Sequence, residues 1–331
     1  MNQALFEKLH RDDWLEFEGW LTTLGKRGST RAAMARADVA RQWPHRYREL
    51  AHHLALARER AYSPELVDSL NQLALRGHQA LYGARSNALN GVLRFIGQGF
   101  PAIVRQESRL VWIAMGFLFV PFLGLLAVLQ YFPEFIHYLV GPDELRSFER
   151  MYQPGNRVLG PHREAANQVM MFGFYIWNNV KIDFQCFAGG LAFGVGSIFF
   201  LLFNGFSLGA IAGYLTHLGY IETFWGFVAG HSAWELLGAA LSGAAGLKLG
   251  WALIAPGRLT RLAALKEAAR PAVLLLYGAA GMTTFAASIE AFWSSSALIP
   301  PAIKYAVGVA FWLLFAVYFT FAGHGRQSDA Y

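Results

Sequence analysis

Three ionisable side chains lie in stretches that are otherwise apolar, and they are the residues of this sequence best suited to chemistry. His231 and Glu235 are four residues apart, which places both on one face of a helix, and Glu290 follows in a later apolar stretch. Ionisable groups inside a bilayer are costly, so each is a candidate for function. An isolated carboxylate there would take up a proton or destabilise the fold, so we expect the three residues to form one coupled cluster.

The chemistry of this cluster has three interpretations. One histidine and two glutamates are ligand types of hydrolytic zinc sites, so His231, Glu235 and Glu290 are candidate metal ligands. The usual helix motif has two histidines around a glutamate, whereas this helix supplies one, and His217 is a candidate for the second. The same residues could relay protons or ions, or they could form a hydrogen-bonded triad that only fixes helix packing. The sequence leaves these interpretations open, so no metal is assigned.

Two asparagines extend the predicted cluster. Asn178 and Asn179, followed by Lys181 and Asp183, are placed at the outer mouth of the second membrane span, and the three ionisable residues are expected in the outer half of the membrane. Phosphate-loop, nucleophile-elbow and dinucleotide motifs are absent from the sequence, so no cofactor is predicted. The basic first third has no recognisable nucleic-acid module, so no nucleic-acid partner is predicted.

The composition shows what kind of protein must position these residues. Of the 331 residues, 55% are hydrophobic and only 15% are charged, against about 25% charged in an ordinary soluble domain. The single cysteine, Cys186, excludes an internal disulfide and any site built from several cysteines. We therefore predict an all-α polytopic membrane helix bundle preceded by a cytoplasmic helical domain.

Hydropathy and turn signals divide the chain into two predicted domains. Residues 1–105 form the helical domain, with a helix start at Ser63-Pro64 and an amphipathic elbow helix over 88–104 that breaks near Pro101. Residues 106–331 form the transmembrane domain. Asn204-Gly205 is interpreted as a hairpin break because it divides an uncharged stretch too long for one span. The six predicted spans are 111–132, 184–203, 206–221, 224–253, 271–292 and 302–321.

Basic residues predict the orientation of these spans. The segment 256–270 carries Arg258, Arg261, Lys266 and Arg270, which favours the cytoplasmic side. Counting spans from this segment places the N-terminal domain and the tail with Arg326 in the cytoplasm too. The prediction is a multi-pass protein of the bacterial inner membrane with both termini inside and the lipid bilayer as its first partner.

Glycines predict where helices pack closely. Many are spaced four residues apart, which lets membrane helices approach one another. Asn204, Gly205, Gly209, Gly246 and Gly250 are the residues assigned to helix break and packing. The same ridges would permit a homodimer. The second to fourth spans are expected at the centre and the first and sixth at the lipid-facing periphery.

Several motifs resemble the stage II sporulation protein M family of integral membrane proteins. They cover about 145 to 325, and the stretch Gly230-His231 to Gly250 is the most specific part. The region from Tyr47 to Tyr82 is similar to the N-terminal region of non-sporulating members. One residue departs from the family pattern: Ser232 follows His231 where many members have glycine. The other motifs are Trp177-Asn178-Asn179, Phe203-Asn204-Gly205 with Gly209, and Ile289-Glu290-Ala291-Phe292.

The resemblance implies an inner-membrane location but no settled activity for this branch. The family's namesake acts as an anchor and scaffold in endospore formers, and members of this branch are typically encoded beside a MoxR-type ATPase. Our leading expectation is a non-enzymatic scaffold that links cytoplasmic partners, such as this ATPase, to a cell-envelope process. One alternative is an ion- or proton-coupled small-solute transporter that uses the His/Glu cluster. A second alternative is an intramembrane metal-dependent hydrolase.

Overall fold

A computed structural model describes residues 2–25, 30–156, 158–160 and 168–323, without the side chains of 22–41 and 79–88. The described residues are almost entirely helical, which confirms the all-α membrane bundle. Compact packing divides the chain into one unit, Met1–Leu93, and another, Arg94–Tyr331, so the division falls earlier than the predicted residue 105. Arg326 and the side chain of Tyr82 lie outside the described residues.

The first unit contains three long helices, α1 (Gln3–Gly25), α2 (Thr30–Glu59) and α3 (Pro64–Arg94). The predicted start at Ser63-Pro64 is confirmed, because α3 begins at Pro64 and the Ser63 hydroxyl accepts a hydrogen bond from the Leu66 amide. Apolar residues on the facing sides of these helices form a separate core that includes Phe6, Phe17, Trp43, Leu50 and Leu70.

The amphipathic elbow does not break where the sequence predicted. A π-helical turn, Phe95–Gly99, continues α3 into α4 (Phe100–Gln106), and the backbone leaves helical geometry at Glu107 instead. Pro101 lies just after the π-helical turn, and the helix continues past it to Gln106, so the proline does not break the helix.

Six long helices form the bulk of the second unit. Five of them are long and apolar enough to cross a membrane, counted over the described residues, and α8 is the sixth. The helices, with two short ones between the first pair, are α5 (Ser108–Tyr131), α6 (Ile136–Leu139), α7 (Pro142–Tyr152), α8 (Gln168–Ala188), α9 (Val195–His217), α10 (Gly226–Ile254), α11 (Arg261–Ile289) and α12 (Pro301–Phe321).

The hairpin predicted at Asn204-Gly205 is wrong. Both residues lie inside the continuous helix α9, and Gly205 packs so closely on the backbone of Leu118 in α5 that a β-carbon would clash. The chain bends earlier, between α8 and α9, where Gly194 adopts a left-handed φ of +82°. The second and third predicted spans, 184–203 and 206–221, are therefore misplaced.

Helix α8 has an inverted polarity, which explains why its full length was not predicted as a span. Its buried face carries Asn179 and Asp183, which are 3% and 1% exposed, while Trp177 and Phe184 on the outer side are 69% and 59% exposed. A bilayer is a better solvent for aromatic rings than for carboxylates, so this arrangement favours packing of the polar face against other helices.

Helix α10 lies at the centre of the bundle. Together with the π-helical turn before it, α10 forms the segment Ile221–Ile254. The most apolar part of this segment is 72% buried, whereas the corresponding parts of α5 and α12 are 22% and 17% buried. The helices α8, α9, α11 and α12 and part of α5 pack around it. The predicted peripheral position of the first and sixth spans agrees with these values.

Glycine ridges form contacts within the chain. Gly205, Gly209 and Gly213 pack on Leu118, Phe122 and Leu126 of α5, one helical turn after another. Gly246 and Gly250 of α10 pack on the bend around Gly190 and Gly194. Because other parts of the chain already cover these ridges, they are not the free homodimer surface that the sequence suggested.

Candidate functional site: a buried His/Glu/Glu centre

The centre begins on α10, where His231 and Glu235 are one helical turn apart. The His231 side chain is 3% exposed and the Glu235 side chain 27% exposed, and His231 Nε2 lies 3.8 Å from Glu235 Oε2. This distance exceeds that of a hydrogen bond. A cation could therefore bind His231 Nε2 and Glu235 Oε2 at the same time.

Glu290 completes the centre from the end of α11. The helix changes there into a π-helical turn, Glu290–Ser294, and such turns occur frequently at functional sites. One potential ligand atom each from His231, Glu235 and Glu290 all lie within 4.8 Å of one another. The structure therefore brings together all three ionisable residues that the sequence grouped.

Ser294, from the same π-helical turn, fixes the histidine ring. Its hydroxyl oxygen lies 3.1 Å from His231 Nδ1, and Ser294 is fully buried. When Nδ1 donates its proton to this oxygen, Nε2 presents a lone pair toward the two carboxylates. This is the tautomer that a metal-binding histidine needs, with its other ring nitrogen held by a hydrogen bond.

A lysine close to the centre, Lys304, binds backbone carbonyl oxygens and not the carboxylates. Lys304 of α12 is 2% exposed, and its ammonium group donates to the carbonyl oxygens of Ser294 and Ser296 at 2.8 and 2.7 Å. Among the described residues, no lysine or arginine forms an ion pair with Glu235 or Glu290. The centre thus contains two carboxylates that lack a basic side-chain partner within the described chain.

Aromatic residues and a loop cover the centre at one end. The ring of Phe227 packs edge-on against His231 with centroids 5.3 Å apart, and Gly160 packs on the same phenylalanine with a left-handed φ of +94°. The backbone of Leu159 donates to the carbonyl of Ser295 at 2.9 Å. Burial raises the pKa of Tyr152, at the end of α7, and the nearby Glu290 carboxylate raises it further. A hydrophobic environment of this kind strengthens electrostatic interactions within the centre.

The two predicted asparagines do not join the three residues. Asn179 is buried on the inner face of α8, while Asn178 is exposed and donates to the Asn179 side-chain oxygen at 3.3 Å. Neither asparagine hydrogen-bonds to His231, Glu235 or Glu290 in the described part of the chain.

Sequence reasoning missed three residues of this region. Asp183 was assigned to the outer mouth but is buried, and its position four residues after Asn179 on one helix face could have indicated this. Lys304 lies inside the predicted sixth span, so the rule applied to His231 would have found it. Ser294 gives no signal in the sequence, because serine is common at helix ends.

The three ligand types fit a divalent metal ion. In tetrahedral sites with bonds of about 2.1 Å, ligand atoms lie roughly 3.4 Å apart, so modest side-chain rotations would suffice here. An ion of charge 2+ would balance two carboxylates and a neutral histidine. His217, the suggested second histidine, is exposed at the end of α9 and does not belong to this group.

Comparison with known proteins matches the chain to one membrane-protein family and to one uncharacterised domain. The family model described as Stage II sporulation protein M matches residues 109–295, which include the whole centre. A second model, described as a domain of unknown function (DUF8413), matches residues 4–83 in the first unit. No curated protein and no solved structure matches the chain.

Proposed function

The chain belongs to the stage II sporulation protein M family, and from this premise we propose that it is a membrane-embedded metalloprotein. Its ligands are His231, Glu235 and Glu290. The observation that carries the proposal is the convergence of three ligand atoms within 4.8 Å in a buried site whose carboxylates have no lysine or arginine partner among the described residues. A bound cation removes the repulsion that two adjacent carboxylates would otherwise suffer.

Zinc fits this ligand set better than magnesium or calcium. A neutral imidazole nitrogen and carboxylate oxygens are zinc ligands, whereas magnesium and calcium prefer oxygen ligands alone. A hydrogen bond donated by His231 Nδ1 to the Ser294 hydroxyl oxygen supports a neutral His231 with Nε2 free to bind. The buried Lys304 donates to backbone carbonyls and does not pair with the carboxylates.

Three protein ligands leave a coordination position for water, which is the arrangement of catalytic rather than structural zinc sites. We therefore propose hydrolysis within the membrane as the reaction class. The ion would supply Lewis acidity and a water that ionises near neutral pH. The chain's part is to orient His231 through Ser294 and to limit access to bulk water through the cover of Phe227 and Tyr152.

The test is the zinc content of the full-length protein, purified in detergent without chelators and reconstituted with zinc. We expect stoichiometric zinc in the wild type and its loss in His231→Ala and Glu290→Gln. His217→Ala is the matched control and should retain zinc, because this histidine lies outside the group. A wild-type protein that binds no zinc after reconstitution would overturn the metal centre and favour the proton-coupled alternative.

The orientation proposed from the sequence has its own test. The basic segment 256–270, which includes the connection after α10 and the first turns of α11, supports a cytoplasmic position for this end of the two helices and, with six crossings, for both termini at the inner membrane. In a Cys186→Ala background, single cysteines at Arg150 and Arg261 should be labelled from opposite sides of the membrane. Labelling of both positions from the same side contradicts the six-span arrangement.

A scaffold function is a second candidate, favoured by the separate N-terminal unit. This unit has its own core, yet Leu5 and Leu9, one turn apart on α1, are 49% and 57% exposed. We propose that they contact a cytoplasmic partner, and the family resemblance suggests a MoxR-type ATPase. Leu5→Asp and Leu9→Asp should weaken binding of the full-length protein to such a purified ATPase, while Leu75→Asp, exposed elsewhere in the unit, should not.

A further inference from the structure

A second group of buried polar side chains lies deeper in the bundle than the His/Glu/Glu centre. It is formed by Asp183 of α8, Thr283 of α11 and Ser242 of α10. Thr283 precedes Glu290 by seven residues and Ser242 follows Glu235 by seven. Each pair is therefore separated by about 10 Å along its helix. The two groups occupy different levels of the same helix interface.

Asp183 is the anionic member of this deeper group and is only partly satisfied. Its side chain is 1% exposed, and its Oδ2 accepts a hydrogen bond of 2.7 Å from the Thr283 hydroxyl. Its Oδ1 has no hydrogen-bond partner among the described residues. A buried carboxylate oxygen without a partner is costly, so such a group needs a bound water, ion or proton to account for it.

Ser242 and Asn179 also carry buried polar atoms that have no hydrogen-bond partner among the described residues. Ser242 is fully buried and lies beside Asp183. Its hydroxyl has no hydrogen-bond partner among the described residues. Asn179 is one turn before Asp183, and its amide nitrogen also has no partner there.

Close helix contacts bring these oxygens together. A β-carbon on Gly238 of α10 would lie 2.5 Å from the Thr283 side chain, so the glycine allows α11 to approach. Gly246 of α10 packs in the same way on the backbone carbonyls of Cys186 and Phe187 at the end of α8. The group is therefore held by rigid helices and not by loops.

We infer that Asp183, Ser242 and Thr283 form a binding site for a monovalent hard cation, and that sodium is the ion it takes. The donors are all oxygens, which excludes a preference for zinc or copper. One carboxylate balances a single positive charge, whereas a divalent ion would leave excess charge in a medium of low dielectric constant. This site is separate from the His/Glu/Glu centre, and the inference does not depend on the proposed metal.

The experiment measures thermal unfolding of the full-length protein in detergent, in sodium chloride and in choline chloride of equal ionic strength. Sodium should stabilise the wild type in a saturable manner. At a concentration 100 times the dissociation constant, the ratio of folded to unfolded protein should rise about 100-fold. Asp183→Asn should abolish the sodium-dependent shift, and Ser242→Ala should move it to higher sodium concentration.

Two further variants separate the site from its surroundings. Thr284→Val is the matched control for Thr283→Val, because the Thr284 hydroxyl donates to the carbonyl of Ala280 in its own helix and should leave the sodium response intact. Glu290→Gln should lose zinc but keep the sodium response. If sodium and choline give the same midpoint in the wild type, or if Asp183→Asn still responds, the site does not exist. Should Asp183→Asn fail to fold, an unchanged response of Ser242→Ala and Thr283→Val would also overturn it.

Discussion

Two helix interfaces in the membrane unit pack equally closely but differ in chemistry. Between α5 and α9, glycines of one helix meet the backbone of the other, and the buried residues of both helices include no charged side chain. Where α10 meets α8 and α11, glycines again allow close approach, but the interface also buries Asp183, His231 and Glu290.

The comparison shows that helices of this unit can pack closely without charged side chains between them; the one polar side-chain contact recorded between α5 and α9 among the described residues is the hydrogen bond of 3.0 Å from Gln130 to the Gly213 carbonyl. The α5–α9 interface achieves close contact by van der Waals packing of small residues, as membrane helices commonly do. The carboxylates of the second interface therefore add desolvation cost without being required for packing. The proposals above assign these carboxylates to cation binding, and each of the following predictions tests a part of this difference.

The largest effect is expected from a methyl group added to the uncharged interface. Gly205→Ala should lower the free energy of unfolding by about 3 kcal/mol, because the new β-carbon meets the backbone carbonyl of Leu118, which cannot move aside. Unfolding by sodium dodecyl sulfate in mixed micelles measures this change. Gly124→Ala on α5 is the control, since nothing lies within 4 Å of its β-carbon position. Equal effects of the two variants would show that close packing at Gly205 does not contribute to the free energy of unfolding.

A carboxylate with a lysine partner should behave oppositely to one without. Glu107 and Lys248 form an ion pair of 2.6 Å, with side chains 9% and 23% exposed. Glu107→Gln should lower the free energy of unfolding by about 2 kcal/mol, because Lys248 loses its partner while partly buried.

In zinc-free protein, Glu290→Gln should instead raise the free energy of unfolding by about 1 kcal/mol, because it removes one of two neighbouring negative charges. Both variants are compared by the same micelle titration after treatment with a chelator. A clear loss of stability in zinc-free Glu290→Gln would mean that the Glu290 carboxylate already has a stabilising partner within the protein. It would contradict the proposed difference between Glu290 and the lysine-paired Glu107.

A smaller effect is expected from the residue that orients His231. Ser294→Ala should weaken zinc binding by about 10- to 100-fold without abolishing it, because the ring loses the hydrogen bond at Nδ1 but keeps its position on α10. Competition with a zinc chelator of known affinity measures the change. Ser295→Ala is the matched control, since its hydroxyl donates to the carbonyl of Ala291, and affinity should be unchanged there.

The smallest effect concerns the N-terminal unit, where the ionisable residue His53 is buried and lies in none of the candidate membrane spans. The pKa of His53 is lowered, first by burial and then by the neighbouring His10. The unfolded chain then binds this proton more readily than the folded chain. Burial of the neutral His53 ring therefore costs no stability above the unfolded pKa near 6.5, and the folded state loses stability as the pH falls below this value.

Hydrogen exchange of α1 and α2 in the full-length protein, corrected for intrinsic rates, measures this effect between about pH 7.5 and pH 5.5. Protection should decrease toward the lower pH, and His53→Gln should reduce that decrease. His52→Gln is the control, because His52 is exposed. Protection that increases toward the lower pH would contradict the assigned direction of the pKa shift.

Hydropathy predicted the spans accurately where a helix is apolar on all sides. The first and sixth predicted spans agree closely with α5 and α12. The method failed for α8, because Asp183 faces inward while apolar residues face outward. It failed at Asn204-Gly205, because a glycine that suits a turn suits close helix packing equally well. Local sequence cannot distinguish these cases, since the partner surface lies far away in the chain.

The sequence by itself determined that this is a helical membrane protein, that His231 and Glu235 share a helix face, and that Glu290 lies at a similar depth. These properties follow from hydropathy and from the period of the helix. Only the tertiary structure decided that Ser294 holds the histidine ring, that Lys304 binds carbonyl oxygens instead of the carboxylates, and that Asp183 is buried against Thr283. Each of these contacts joins residues on different helices or across a helix end, and their geometry depends on how closely the glycines allow the helices to approach.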